Sequence, residues 1–146
     1  MNDNTFKTDQ ISIKDYPLRK NMSNVVKTPD GITLDNITFE NIQAGEVNGH
    51  DCRVSKEVLL MQAKIAEDNN NPHLAANFRR AAELVSIDSK RILEIYEALR
   101  PYRSTEEELQ MIVTELKEKY NAPNTAAFIE NSILISKKRK RLKGDR

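Results

Sequence analysis

Tryptophan is absent from this 146-residue chain, cysteine occurs once, glycine four times and proline five times, and only 5% of residues are aromatic. Each scarcity removes a class of protein. A lone cysteine, Cys52, permits neither an intramolecular disulfide nor a cysteine metal cluster. Four isolated glycines cannot build a phosphate-cradling loop. No GxSxG elbow marks a nucleophilic serine. No apolar run approaches the roughly 20 residues needed to cross a bilayer. The first ten residues lack the basic-then-apolar layout of a secretory signal. Without secretion, the glycosylation sequons at Asn21 and Asn36 mean nothing. These absences predict a soluble cytoplasmic protein with no membrane association. A net charge of +1 also argues against a whole-molecule field that steers toward nucleic acid or anionic lipid.

What is present is helical rhythm in a polar background: 31% charged residues, 38% apolar residues and a mean hydropathy of −0.65. The length suits a single domain with a modest core. Helical proteins of this kind often complete their burial against a partner. Residues 1–33 differ from the rest. They hold Pro17, Pro29 and Gly31 with scattered apolar positions and no helical period. Tyr16-Pro17-Leu18 is expected to be extended, since proline drives its predecessor out of the helical region. Pro29-Asp30-Gly31 reads as a turn. Such an arm is either disordered or laid on something else. Residues 34–146 are expected to form the helical domain.

Within that domain, Thr38 caps a short helix that stops at Gly45, and Ser55 opens another running to about Asp68, with Val58, Leu59, Ile65 and Ala66 on one side. Asn71-Pro72 starts a third, asparagine as cap and proline in the first helical position. Its Leu74, Ala75, Phe78, Ala81, Ala82 and Val85 follow one buried stripe. Asp88 caps a helix carrying Ile92, Leu93, Tyr96 and Leu99 and ending at Arg100-Pro101. Ser104 and Glu107 read as a capping box for a helix with Leu109, Ile112, Val113, Leu116 and Tyr120 on one face. A last helix is expected from about Thr125 to Leu142, with Gly144 as its stop. Its Ile133-Leu134-Ile135 run spreads around the cylinder, which in so small a chain points to burial by a second protein.

Chemistry is hard to find. His50 and His73 lie in unrelated segments without ligand spacing and read as surface or turn histidines. Cys52 has neither a CxxC partner nor a nucleophile motif and reads as a structural thiol. The glutamates are better explained as caps and solvated faces than as acid–base pairs, since nothing places two of them in an apolar pocket. The tail from Lys137 to Arg146 holds seven basic residues and one acidic one, and could serve nucleic-acid binding. A solvated or partner-facing helix end explains it better, because cations complement the helix dipole there and aromatic residues that could stack on bases do not alternate with them. The turn Arg100-Pro101-Tyr102-Arg103-Ser104 reads equally well two ways. Tyrosine and arginine are enriched at interface hot spots, or Tyr102 plugs the bundle end while the arginines cap carbonyls.

The stretch from Arg91 to Ser104 resembles the hallmark segment of the small, or gamma, subunit of diol and glycerol dehydratases. Agreement in order and spacing extends to Asp15-Tyr16-Pro17-Leu18, Thr33 to Asn41, Asn77 to Leu84, Ala126-Ala127-Phe128 and Lys140 to Asp145. The resemblance spans nearly the whole chain after the first dozen residues, although none of these stretches is a reaction motif. It implies an all-α fold, an open up-and-down helical bundle with an irregular, extended N-terminal arm. It implies a non-catalytic subunit of an adenosylcobalamin-dependent enzyme that converts 1,2-diols or glycerol to aldehydes with loss of water by a radical mechanism.

By the same resemblance, large and medium subunits are the partners, in a dimer of heterotrimers. They hold the cofactor, this chain contributes no catalytic, cofactor or metal residue, and the large subunit sets propanediol or glycerol preference. The expected subunit contacts are Tyr16 and Pro17 in the arm, with Tyr96, Arg100, Pro101, Tyr102 and Arg103 at the turn. Some diol dehydratase small subunits carry a longer N-terminal extension associated with packaging into bacterial microcompartments. Only about a dozen residues precede Asp15-Tyr16 here, too few for a stable amphipathic helix, so packaging through this chain is not expected, and another subunit could supply it. The alternative is a free-standing helical adaptor or nucleic-acid-binding protein that uses its basic C-terminal helix.

Overall fold

A computed structural model describes residues 10–49 and 52–145. Among them the chain is all-α, with seven α-helices, short 3-10 turns and one isolated β-bridge. It divides into two compact units, Met1–Ala82 and Glu83–Arg146.

In the first unit the N-terminal segment is laid on the chain itself. Ser12 caps a 3-10 turn, Ile13–Asp15, and its backbone N–H donates to the Asp15 carboxylate at 2.9 Å. Tyr16 and Pro17 are extended, as the proline requires, and α1 follows at Leu18–Asn21. Asn21 donates to the Tyr16 carbonyl at 3.0 Å, folding the short helix back on its entry. Ile11 and Leu18 are buried in one apolar cluster with Met61 and Ile65, and Met22, Val25 and Val26 pack against it. Two well-spaced anchors therefore suffice where no helical period exists.

The Pro29 turn forms as expected. The Gly31 N–H donates to the Thr28 carbonyl at 2.9 Å, Gly31 takes a φ of 85°, and Lys27 and Thr33 bridge across it. Helix α2 is Phe39–Gln43, capped by the Thr38 hydroxyl, which accepts from the Asn41 N–H at 3.2 Å. Helix α3 is Lys56–Asp68, capped by Ser55. Its buried side is Met61, Ala63, Ile65 and Ala66, whereas Val58 and Leu59 are half-buried. Helix α4 is Pro72–Leu84, with the Asn71 carbonyl oxygen accepting from the Leu74 N–H at 3.2 Å. Ala75 and Ala82 are buried as expected, but Leu74 and Val85 are exposed. The buried side is rotated toward Arg79, which pairs with Glu67 at 2.7 Å, and toward Glu83.

The second unit contains α5 (Ser89–Ala98), α6 (Glu106–Glu118) and α7 (Pro123–Lys138). Its core is Ile87, Ile95, Leu109, Ile112, Val113, Leu116, Ala122, Ala126, Ile129 and Ile133. Helices α6 and α7 are antiparallel. Glu106, at the start of α6, pairs with Lys137 at the end of α7 at 2.7 Å, and Lys117, near the end of α6, pairs with Glu130 at 2.6 Å. On α5 the structure separates buried from exposed apolar residues. Ile95 is its buried centre, with Ile92, Ala98 and Leu99 beside it, while Leu93 and Tyr96 face out at 70% and 53% exposure. Arg91 sets this rotation by a two-point grip on Glu115 of α6, at 3.2 and 2.5 Å.

Two boundaries also move. The capping box at α6 is Thr105 with Glu108, one residue later than expected: the Thr105 hydroxyl accepts from the Glu108 N–H and the Glu108 carboxylate accepts from the Thr105 N–H. Two overlapping registers satisfy the same spacing, and Ser104 is buried with its carbonyl taken by the Lys143 N–H at 2.9 Å. Helix α7 ends at Lys138 and not near Leu142. Lys140 turns left-handed at φ 50°, its N–H donates to the Lys137 carbonyl and the Arg141 N–H donates to the Ser136 carbonyl. This is a Schellman stop with lysine where glycine is usual.

The start of α7 is closed from a distance. Ala122 offers no capping side chain. The Glu83 carboxylate accepts instead from the Asn124 N–H and side-chain amide, at 2.9 and 2.6 Å, and from the Thr125 N–H and hydroxyl, both at 2.7 Å. A carboxylate at these donors also meets the positive end of the helix dipole.

Candidate assembly surface

The outer side of the second unit carries the residues that the core leaves out. Leu93 and Tyr96 project from α5, and Phe128, Leu134 and Ile135 from α7, between 40% and 70% exposed. Phe128 and Ile135, seven residues apart, share one side of their helix. Leu84, Ile92, Ile95, Leu99, Thr125 and Ile129 line a groove between α5 and α7, which Tyr96 and Phe128 flank. The Ile133-Leu134-Ile135 run behaves as its sequence suggested: Ile133 is buried and its two successors face solvent.

The turn after α5 adds charge. Glu97 receives both arginines, Arg100 at 2.9 Å and Arg103 at 3.3 Å, and all three side chains are at least half exposed. Pro101 is exposed, and Tyr102 is half-buried with a φ of 65°. Its backbone N–H donates to the Arg141 carbonyl at 2.7 Å. Tyr96, Arg100, Pro101, Tyr102 and Arg103 therefore lie together at one helix end. Tyr16 and Pro17 are exposed in the first unit. That unit exposes Phe39, Ile42 and Val54 as well. The sequence reading left the facing of Leu93 open and missed the pairing of the turn with the tail. Ile95, at the centre of the true stripe, was the one available signal for the first. Nothing local signalled the second.

The shifted titratable groups lie in structural contacts. Burial pushes the Glu83 carboxyl up, but its four hydrogen bonds outweigh this and hold it below the ordinary glutamate value. The Arg91 hydrogen bonds lower the Glu115 carboxyl, and the same contacts raise the Arg91 guanidinium. Each shift favours the charged form, opposite to what a general acid or a neutral nucleophile requires at neutral pH. Among the described residues no three His, Cys, Asp or Glu side chains cluster as metal ligands. His73 and Cys52 are exposed, and His50 lies outside the described residues. No described helix is long and apolar enough to cross a membrane.

A profile of the family described as dehydratase small subunit matches residues 11–143. The propanediol dehydratase small subunit of Citrobacter freundii is 46% identical over 133 residues, covering 91% of this chain and 77% of that protein. The protein of the same description from Salmonella typhimurium strain LT2 is 47% identical over the same shares. Neither relative is described as a free-standing adaptor or a nucleic-acid-binding protein, the alternative suggested by the basic tail. By the extent of that match, from the N-terminal anchor Ile11 to the tail beside Ser104, the chain belongs to the dehydratase small subunit family.

Proposed function

We propose that this chain is the non-catalytic small subunit of a propanediol or glycerol dehydratase, a hydro-lyase that converts 1,2-diols or glycerol to aldehydes. The observation that carries this reading is the 46–47% identity, over 91% of the chain, to proteins described as propanediol dehydratase small subunits. Its partners are the large and medium subunits, in a dimer of heterotrimers, and its role is assembly and stability. The irregular arm of residues 1–33 and the turn from Tyr96 to Arg103 supply contacts to the large subunit. The enzyme is cytoplasmic.

Adenosylcobalamin supplies the bond-breaking chemistry when it is bound to the enzyme. The described residues of this chain do not fit it. A corrinoid needs a broad enclosed cavity and, for many proteins, a histidine facing the cobalt. Here the one described histidine, His73, is exposed on α4, and the α5–α7 groove is a narrow surface feature. On the proposed reading the cofactor is held by the other subunits.

The test is dehydration of 1,2-propanediol with adenosylcobalamin by large and medium subunits prepared with and without this chain. The expected result is that activity or its persistence on dilution requires the chain. Equal activity and equal persistence without it would overturn the reading.

A further inference from the structure

The Arg100–Ser104 turn and the basic tail are far apart in sequence, yet the fold makes them one surface. The Tyr102 N–H donates to the Arg141 carbonyl at 2.7 Å, and the Lys143 N–H donates to the Ser104 carbonyl at 2.9 Å. These two backbone bonds lay the segments side by side. Around them stand Arg100, Arg103, Lys137, Lys143 and the run Lys138 to Arg141. Four of these cations are answered within the chain. Glu97 takes Arg100 and Arg103, Glu106 takes Lys137, and Glu108 lies 3.7 Å from Lys143. Lys138, Arg139, Lys140 and Arg141 are exposed and make no ion pair among the described residues.

The backbone adds an independent sign. Both segments hold a non-glycine residue in the left-handed region, Tyr102 at φ 65° and Lys140 at φ 50°. A bulky side chain there is an outlier, and such strain gathers where a surface serves a purpose other than stability. Glycine at position 140 would make the same helix stop without strain; lysine retains a charge.

We propose that the joined turn and tail form a cationic docking surface for an acidic segment of a partner protein. The proposal rests on the subunit reading above, and the partner is therefore another subunit of the dehydratase. A discrete cluster of protein carboxylates fits four unanswered cations bordered by Glu97, Glu106, Glu107 and Glu108. The turn's aromatic ring, Tyr102, is half-buried and poorly placed for stacking on nucleic-acid bases.

The experiment measures association of the full chain with the large and medium subunits at low and high salt. It compares wild type, the double variant Arg139→Glu/Arg141→Glu, and Lys140→Gly. The Arg139 and Arg141 side chains are exposed, and the Arg141 carbonyl that holds Tyr102 survives substitution. The expected result is at least about tenfold weaker association for the double variant, with a shallower salt dependence than wild type. Lys140→Gly is expected to raise the thermal unfolding midpoint yet weaken association, a split that a purely structural lysine would not give. Wild-type assembly with unchanged affinity in both variants would overturn this proposal alone. Failure of the wild-type chain to assemble would overturn the subunit reading and this proposal with it. A salt-sensitive shift of duplex DNA at the concentrations that support assembly would overturn it in favour of nucleic acid.

Discussion

Glu83 does for α7 what no residue beside α7 can do. Its carboxylate takes four hydrogen bonds from Asn124 and Thr125 while itself only 8% exposed. Removing its charge leaves buried donors facing an amide that answers them poorly. Glu83→Gln is expected to lower the stability of the full chain by about 1–3 kcal/mol at neutral pH, measured by urea unfolding. Because the folded-state pKa is held down, this contribution is complete above the ordinary glutamate range. It is lost as pH falls through the lower, folded value. The gap between wild type and variant should therefore close on acidification, and a gap independent of pH would refute the assignment. Capping shows how legibility fails at this scale. Thr38, Ser55, Asn71 and Asp88 were readable because each bonds a backbone N–H two or three residues on. The box at Thr105 was misread by one place because Ser104-Glu107 and Thr105-Glu108 have identical spacing. Glu83 lay beyond reach, since its donors are 41 and 42 residues away.

At the scale of the element, periodicity gives the existence of a helix more securely than its rotation. All of α3 to α7 follow from apolar spacing and caps, yet α5 is turned so that Ile95 is buried and Leu93 is not. The Arg91–Glu115 grip that sets this lies between helices, where a single-helix pattern carries no information. Ile95→Ala should cost about 2–5 kcal/mol by emptying a core position. Leu93→Ala should stay within about 0.5 kcal/mol, as an exposed substitution does. Thermal or urea unfolding of the two variants checks the pair, and equal costs would contradict this rotation of α5. The end of α7 was misplaced for a related reason. Helix-forming lysines and arginines continue to Arg141, and the stop is made by a left-handed Lys140 that propensity disfavours.

For the molecule as a whole, the all-α class and the family were legible in sequence, while the proposed assembly surface was legible only in pieces. The arm, the Arg100–Ser104 turn and the apolar run at Ile133 each stood out as residues without a local purpose. Their arrangement required the fold, because backbone bonds between turn and tail leave no trace in composition or period. The chain buries a core of ordinary residues and leaves Leu93, Tyr96, Phe128, Leu134 and Ile135 in solvent beside a cationic edge. Among the described residues no three His, Cys, Asp or Glu side chains gather as a metal site. The most direct measurement is co-purification: this chain, tagged and expressed with the large and medium dehydratase subunits, is carried through affinity and size-exclusion chromatography. Co-elution of all three chains in a constant ratio is the predicted result. Elution of this chain alone, with the other two assembled without it, would contradict the account.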